Sequence, residues 1–194
     1  MIAGLILAAG ESSRMGSDKA LLAYRGRTFL ETIILNLRHA GIEKIAVVLG
    51  HHAEEIQRAV DLAGVQVVFN RDYRRGQTSS LQAGLAALQE FSPDAGILCL
   101  VDHPAVSAEV IRKLRDRFER TRPAVVIPTY EGRRGHPVVI GRELFPELLA
   151  LRANEGANTV IRKYRDATQF VEVDDRGILL DVDDPETYKC LERG

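Results

Sequence analysis

The sequence predicts an α/β fold, built as a doubly wound and mostly parallel sheet in a single domain spanning residues 1–194. Three observations predict it. Five short runs are apolar and β-branched without alternation, the pattern of strands covered on both faces. Segments of helical period separate them. The length of 194 residues suits one full hydrophobic core.

The first strand is predicted at 2–8 (IAGLILA). Thr28 and Glu31 then form a T-x-x-E capping box. Leu30, Ile33, Ile34 and Leu37 recur at helical spacing behind it, and Gly41 supplies the stop. Strand 44–49 follows, then a helix over 52–63 that ends at Gly64, then strand 65–69. A third helix starts at Thr78 or Ser79, whose hydroxyls suit an N-cap, and lines up Leu81, Leu85 and Leu88. Strand 96–101, a helix from Ser107 and strand 124–128 complete the regular part. In the tail, strands are predicted at 137–140, 168–173 and 178–182, with helices at 142–151 and 156–165.

The bulk properties exclude several classes. Hydrophobic residues make up 45%, charged residues 27%, and the formal net charge is −1, so no global basic field draws nucleic acid. No apolar run approaches the ~20 residues of a membrane span, and MIAGLILAAG lacks the basic flank of a secretory leader. Cys99 and Cys190 have no metal-type spacing. The expectation is a cytoplasmic monomer with two free thiols and no nucleic-acid or membrane partner.

In a doubly wound sheet, ligands sit beyond the carboxyl ends of the strands. The loop after the first strand carries Ala9 and Gly10, which leave the backbone open to a ligand. Its amides can point at phosphate oxygens. Arg14 adds a planar fork of donors and Lys19 a mobile point charge, a pair suited to a polyphosphate. The spacing matches neither the Walker A loop nor G-x-G-x-x-G, so by pattern alone a charged surface turn is an equal reading. Asp102 directly follows an apolar strand. There it can hold Mg²⁺ or simply cap the turn before Pro104. Asp181, Asp183 and Asp184 offer further carboxylates, and strand alternation would put Asp181 and Asp183 on one face. Asp184, Pro185 and Glu186 suit a helix start.

The motif L-A-A-G-x-S-x-R-M-G-x-x-K (7–19) resembles the signature loop of the molybdopterin nucleotidyltransferases. The resemblance continues through GQTSSLQAGL (76–85), VDHP (101–104), RGHPVVIGRELFPEL (134–148) and LLDVDDPETY (179–188). LAAG and the late elements are similar to the molybdenum cofactor cytidylyltransferase branch. VDHP departs from it, with His103 where that branch often has Gln or Met.

The resemblance implies a Rossmann-like fold of the nucleotide-diphospho-sugar-transferase type. It implies transfer of CMP from CTP to the terminal phosphate of molybdopterin, with Mg²⁺ as cofactor. Leu7, Ala8, Ala9, Gly10, Arg14 and Lys19 would bind the nucleotide. Arg14, Lys19 and Asp102 would act in catalysis, and Asp102 with Asp183 (Asp181 second) would hold the metal. Ser80 would read the base, with Asn70 and Gln77 nearby. His136 would touch the second substrate, with Glu155 and Asn158 lining the same cleft. A molybdenum hydroxylase or its chaperone would receive the product. Use of GTP, a sugar-phosphate acceptor, or a non-catalytic carrier of the cofactor are the alternatives.

Overall fold

The computed structural model describes residues 1–12 and 15–192. β1 (Ile2–Ala8) is buried at every position. A small hairpin of β2 (Ala23–Tyr24) and β3 (Arg27–Thr28) follows, then α1 (Phe29–His39). The alternating part continues with β4 (Ile45–Leu49), α2 (Ala53–Ala59), β5 (Gln66–Phe69), α3 (Gln77–Leu88), β6 (Ala95–Leu100) and α4 (Ala108–Thr121). β7 (Val125–Tyr130), β8 (Arg133–Arg134), β9 (Val138–Gly141), α5 (Phe145–Leu149), α6 (Ala157–Lys163), β10 (Thr168–Glu172) and α7 (Pro185–Glu192) complete the chain.

The main sheet runs β10-β7-β9-β6-β1-β4-β5, with β8 paired to β7. All neighbours along it are parallel except β9, which is antiparallel to both β6 and β7. Apolar layers cover both faces, which is why the strands read as unbroken apolar runs. On β1, Ile2 and Ile6 pack into one layer with Leu30, Leu37 and Leu114. Leu5 and Leu7 pack into the other with Leu81, Leu85 and Leu98. The predicted capping box is formed: Thr28 Oγ1 accepts from Glu31 N, and Thr28 N donates to Glu31 Oε2 at 2.8 Å. Among the described residues, no helix is long and apolar enough to cross a membrane.

Three predicted elements differ. The helix over 52–63 is only α2, because Val60 turns extended to bury its side chain and Asp61 accepts from Ala63 N to make a turn. The N-cap of α3 is Gly76, not Thr78 or Ser79. Those hydroxyls are used elsewhere: Thr78 donates to Glu155 O at 2.5 Å and Ser79 to Gly76 O at 2.8 Å. Residues 178–182 are not a strand. Arg176–Leu179 form a 3₁₀ turn capped by Asp175, and buried Ile178 packs into the core. The carbonyl of Ile178 accepts from His136 N, and Val182 N donates to Asp102 O at 2.9 Å. This segment therefore braces two site loops instead of extending the sheet.

Candidate active site

The first loop is held from three directions. The carbonyl of Ala9 accepts from His51 N, so the chain leaving β4 lies against it. Gly50 makes that approach possible: a Cβ there would stand 2.6 Å from Ala9 O and 2.7 Å from Tyr73 Cβ. Ser12 Oγ accepts from Lys19 N at 3.0 Å and closes the loop. Asp18 caps the short 3₁₀ turn Lys19–Leu21 through a bond from Ala20 N at 2.9 Å. Leu7, Ala8 and Ala9 are buried and Gly10 is exposed, with open space where a side chain would stand. Arg14 lies outside the described residues.

Lys19 brings the predicted acids together. Its Nζ lies 3.4 Å from Asp102 Oδ2 and also donates to Asp183 Oδ1. Burial works against its charge, but the bond to Asp183 and the neighbouring Asp102 outweigh it, and its pKa is raised. Asp181 joins from the other side. Ligand atoms of Asp102, His103 and Asp181 lie within 4.8 Å of one another. Asp181 and Asp183 thus both reach the site, but from irregular chain, not from the expected strand face. The pKa of Asp181 is raised by burial and then by Asp102 and Asp183. Asp102 Oδ1 is buried and accepts no hydrogen bond among the described residues. Two carboxylates meet one ammonium, a third stands beside Asp102, and one of the oxygens is orphaned. That donor set fits a hard divalent cation.

His103 and His136 separate this acidic centre from a cleft of about 830 Å³. Their rings stand 5.1 Å apart. Burial lowers the pKa of His103 against the pull of Asp102 and Asp181. Burial, then His103, lowers that of His136 to about 4, so both rings are neutral near pH 7. His136 and Asn158 line the cleft, as does Gln77. Glu155 does not; its carboxylate accepts from Arg152 N. Asn70 and Ser80 are buried and bonded to each other: Asn70 Nδ2 donates to Ser80 Oγ at 2.9 Å and to Ser79 Oγ at 3.0 Å. They tie the end of β5 to the start of α3.

Sequence reasoning missed Asp18 and gave His103 and His52 no role in the site. Among the described residues Asp18 Oδ2 is buried without a hydrogen bond, 3.5 Å from His52 Nδ1. Burial raises the Asp18 pKa. His52 sits at φ 54°, in the left-handed region. The one available signal was proximity to motifs already singled out: Asp18 precedes Lys19, and His103 follows Asp102.

Comparison with known proteins agrees with this arrangement. Residues 4–168 match the MobA-like NTP transferase domain. A nicotine blue oxidoreductase from Paenarthrobacter nicotinovorans is 30% identical, with 98% of this chain and 96% of that protein covered. A molybdenum cofactor cytidylyltransferase from Escherichia coli K12 is 26% identical, covering 95% and 92%. Rv0371c from Mycobacterium tuberculosis H37Rv superposes with a TM-score of 0.88 at 31% identity, covering 100% and 97%. Its structure in complex with manganese gives 0.83 at 28%, covering 100% and 98%. With the loop, the paired acids and the sheet order in place, the chain belongs to the family of the MobA-like NTP transferase domain.

Proposed function

We propose that this chain is a metal-dependent nucleotidyltransferase that moves CMP from CTP to the terminal phosphate of molybdopterin. The observation that carries the reading is the convergence of Lys19 from the first loop with Asp102 and Asp183. The 26% identity to a molybdenum cofactor cytidylyltransferase and the LAAG form of the loop support the choice of cytidine. Asp102 and Asp183, with Asp181 beside them, would hold Mg²⁺, which supplies neutralising charge to the phosphates when bound. That Rv0371c has been solved in complex with manganese supports dependence on a divalent ion.

A phosphate oxygen of the acceptor attacks the α-phosphorus of CTP. The bond from that phosphorus to the bridging oxygen breaks, and pyrophosphate leaves with the electron pair. The nucleophile is already anionic at neutral pH, so the site's work is positioning and charge stabilisation. Lys19 would stabilise charge at the α-phosphate, and by the motif match Arg14 would hold the β- and γ-phosphates. The open backbone at Gly10 lets the phosphates approach the loop. Ser80 meets the base, held in place by Asn70. His136, neutral, donates to or accepts from the acceptor without repelling the Lys19 charge. The free thiols Cys99 and Cys190 suit a reducing cytoplasm, and the product would pass to a molybdenum hydroxylase or its chaperone.

Thermal unfolding with CTP, GTP, ATP and UTP, each with and without Mg²⁺, tests the reading. A ligand at about 100 times its Kd stabilises by ~2.7 kcal/mol, several degrees for a chain of this size. A Mg²⁺-dependent shift with CTP is the expected result. A shift with GTP alone overturns the nucleotide, and no shift with any nucleotide favours a carrier. Pyrophosphate release on adding molybdopterin tests the acceptor.

A further inference from the structure

The cleft beyond His136 has two chemically different regions. Its floor is a row of side chains across four adjacent strands: Leu98 on β6, Val138 on β9, Ile127 on β7 and Phe170 on β10. Neighbouring strands lie ~4.8 Å apart, so the row extends about 14 Å away from the strand that carries Asp102. Arg134 stands at its far end, and Arg162 and Arg165 also line the cleft. The Arg134 guanidinium lies 4.7 Å above the Phe170 ring. Arg165 sits just before β10, and Arg162 lies one helical turn earlier on α6.

These arginines differ from five in the molecule that are paired with acids. Arg58, Arg74, Arg75, Arg115 and Arg122 each have a carboxylate oxygen within 4 Å. Among the described residues, the side chains of Arg134, Arg162 and Arg165 have no ion pair or hydrogen bond, and the cleft lining contains no acid. Arg134 is carried on a hydrogen-bonded turn. It is presented by the β7–β8 hairpin, whose turn residues Glu131 and Gly132 both have positive φ. Glu172 locks that turn by accepting from Thr129 Oγ1 at 2.6 Å and from Glu131 N at 3.0 Å. A guanidinium fork on a braced hairpin is preorganised for an oxoanion.

We infer that the acceptor is an elongated molecule with a flat, apolar middle and a second anionic group. Arg134, Arg162 and Arg165 bind that distal anion, while its reacting phosphate lies at Lys19 and Asp102. This rests on transfer taking place at the Lys19 end. It assigns the three arginines to substrate selection: an acceptor without the distal anion forgoes their contacts and binds more weakly.

The test uses two fluorescent probes, 8-anilino-1-naphthalenesulfonate and its uncharged relative N-phenyl-1-naphthylamine. Each is titrated into the full chain and into R134Q/R162Q/R165Q, all surface substitutions that leave the core intact. The sulfonate should bind the variant about tenfold more weakly, the size of one lost charge-assisted contact. The uncharged probe should bind both alike, and the nucleotide-induced thermal shift should be the same in both. Equal sulfonate binding by the variant, equal loss of both probes, or no sulfonate binding by the wild type overturns the inference. Weaker sulfonate binding by the variant, with a wild-type chain that binds the sulfonate but responds to no nucleotide, supports the anion site and sinks the transfer reading instead. Where transfer is measured, R162Q should raise the acceptor KM and leave kcat and the CTP KM unchanged.

Discussion

Removing the Lys19 ammonium separates its two jobs. In Lys19→Ala, Asp102 and Asp183 lose the cation that lies 3.4 Å from one and hydrogen-bonded to the other. A unit pair at 4 Å is worth ~4 kcal/mol at an effective dielectric of 20. Asp183 is 38% exposed, so solvent screens much of its share. A net loss of about 1–2 kcal/mol in the metal-free protein remains, which lowers Tm by roughly 2–8 °C at this chain length. Mg²⁺ should restore more stability to the variant than to the wild type, because it replaces the cation that the variant lacks. Turnover should fall about 10²–10³-fold, the size of one lost transition-state donor, with a smaller change in CTP affinity. Calorimetry with and without Mg²⁺, and steady-state pyrophosphate release, read the two effects. The pH dependence gives an independent check. The Lys19 pKa is raised above its ordinary 10.5, so its stabilisation is full below that value and is lost as pH rises through the folded pKa. The Tm gap between variant and wild type should therefore close on the alkaline side. An unchanged turnover refutes the role of Lys19, and a gap that persists into strong alkali refutes the electrostatic account of its stability.

Asp102→Asn should abolish Mg²⁺-dependent transfer while shifting Tm little; retained activity would place the metal elsewhere. Gly50→Ala drives a methyl to within 2.6 Å of Ala9 O, so it should cost about 1–3 kcal/mol in urea unfolding and weaken nucleotide binding together. His136 binds its proton more weakly folded than unfolded, so stability should decline as pH falls from 6.5 towards 4, by roughly 3 kcal/mol. His136→Gln should flatten that acid limb, and an unchanged limb would remove His136 as its source. Glu31→Ala breaks the capping box and should cost about 1 kcal/mol in thermal unfolding without touching turnover.

What was legible in the sequence follows from where each signal was generated. The parallel strands were readable because burial on both faces leaves unbroken apolar runs, and α1 because Thr28 and Glu31 satisfy its first turn locally. The two hairpins were not readable. Their turns are Arg25-Gly26 and Glu131-Gly132, whose left-handed first residues lack the Asn or Asp that usually marks such a turn. The stretch 178–182 alternates like a strand, yet Asp175 caps a turn before it and the carbonyl of Ile178 is taken by His136 N. No local pattern encodes a partner more than forty residues away. The same limit applies at the site. Lys19 and Asp102 were singled out because each lies just past a strand end, where topology alone directs a ligand. The Arg134–Phe170 stack depends on β10 lying beside β7, a pairing settled only when the sheet closes around β9. Motifs therefore carry the chemistry of nucleotide transfer, which sits on contiguous loops. In the proposed scheme, selection of the acceptor sits on residues gathered from β8, α6 and the chain around β10, and chains sharing the Lys19 and Asp102 motifs can differ there without any change in those motifs.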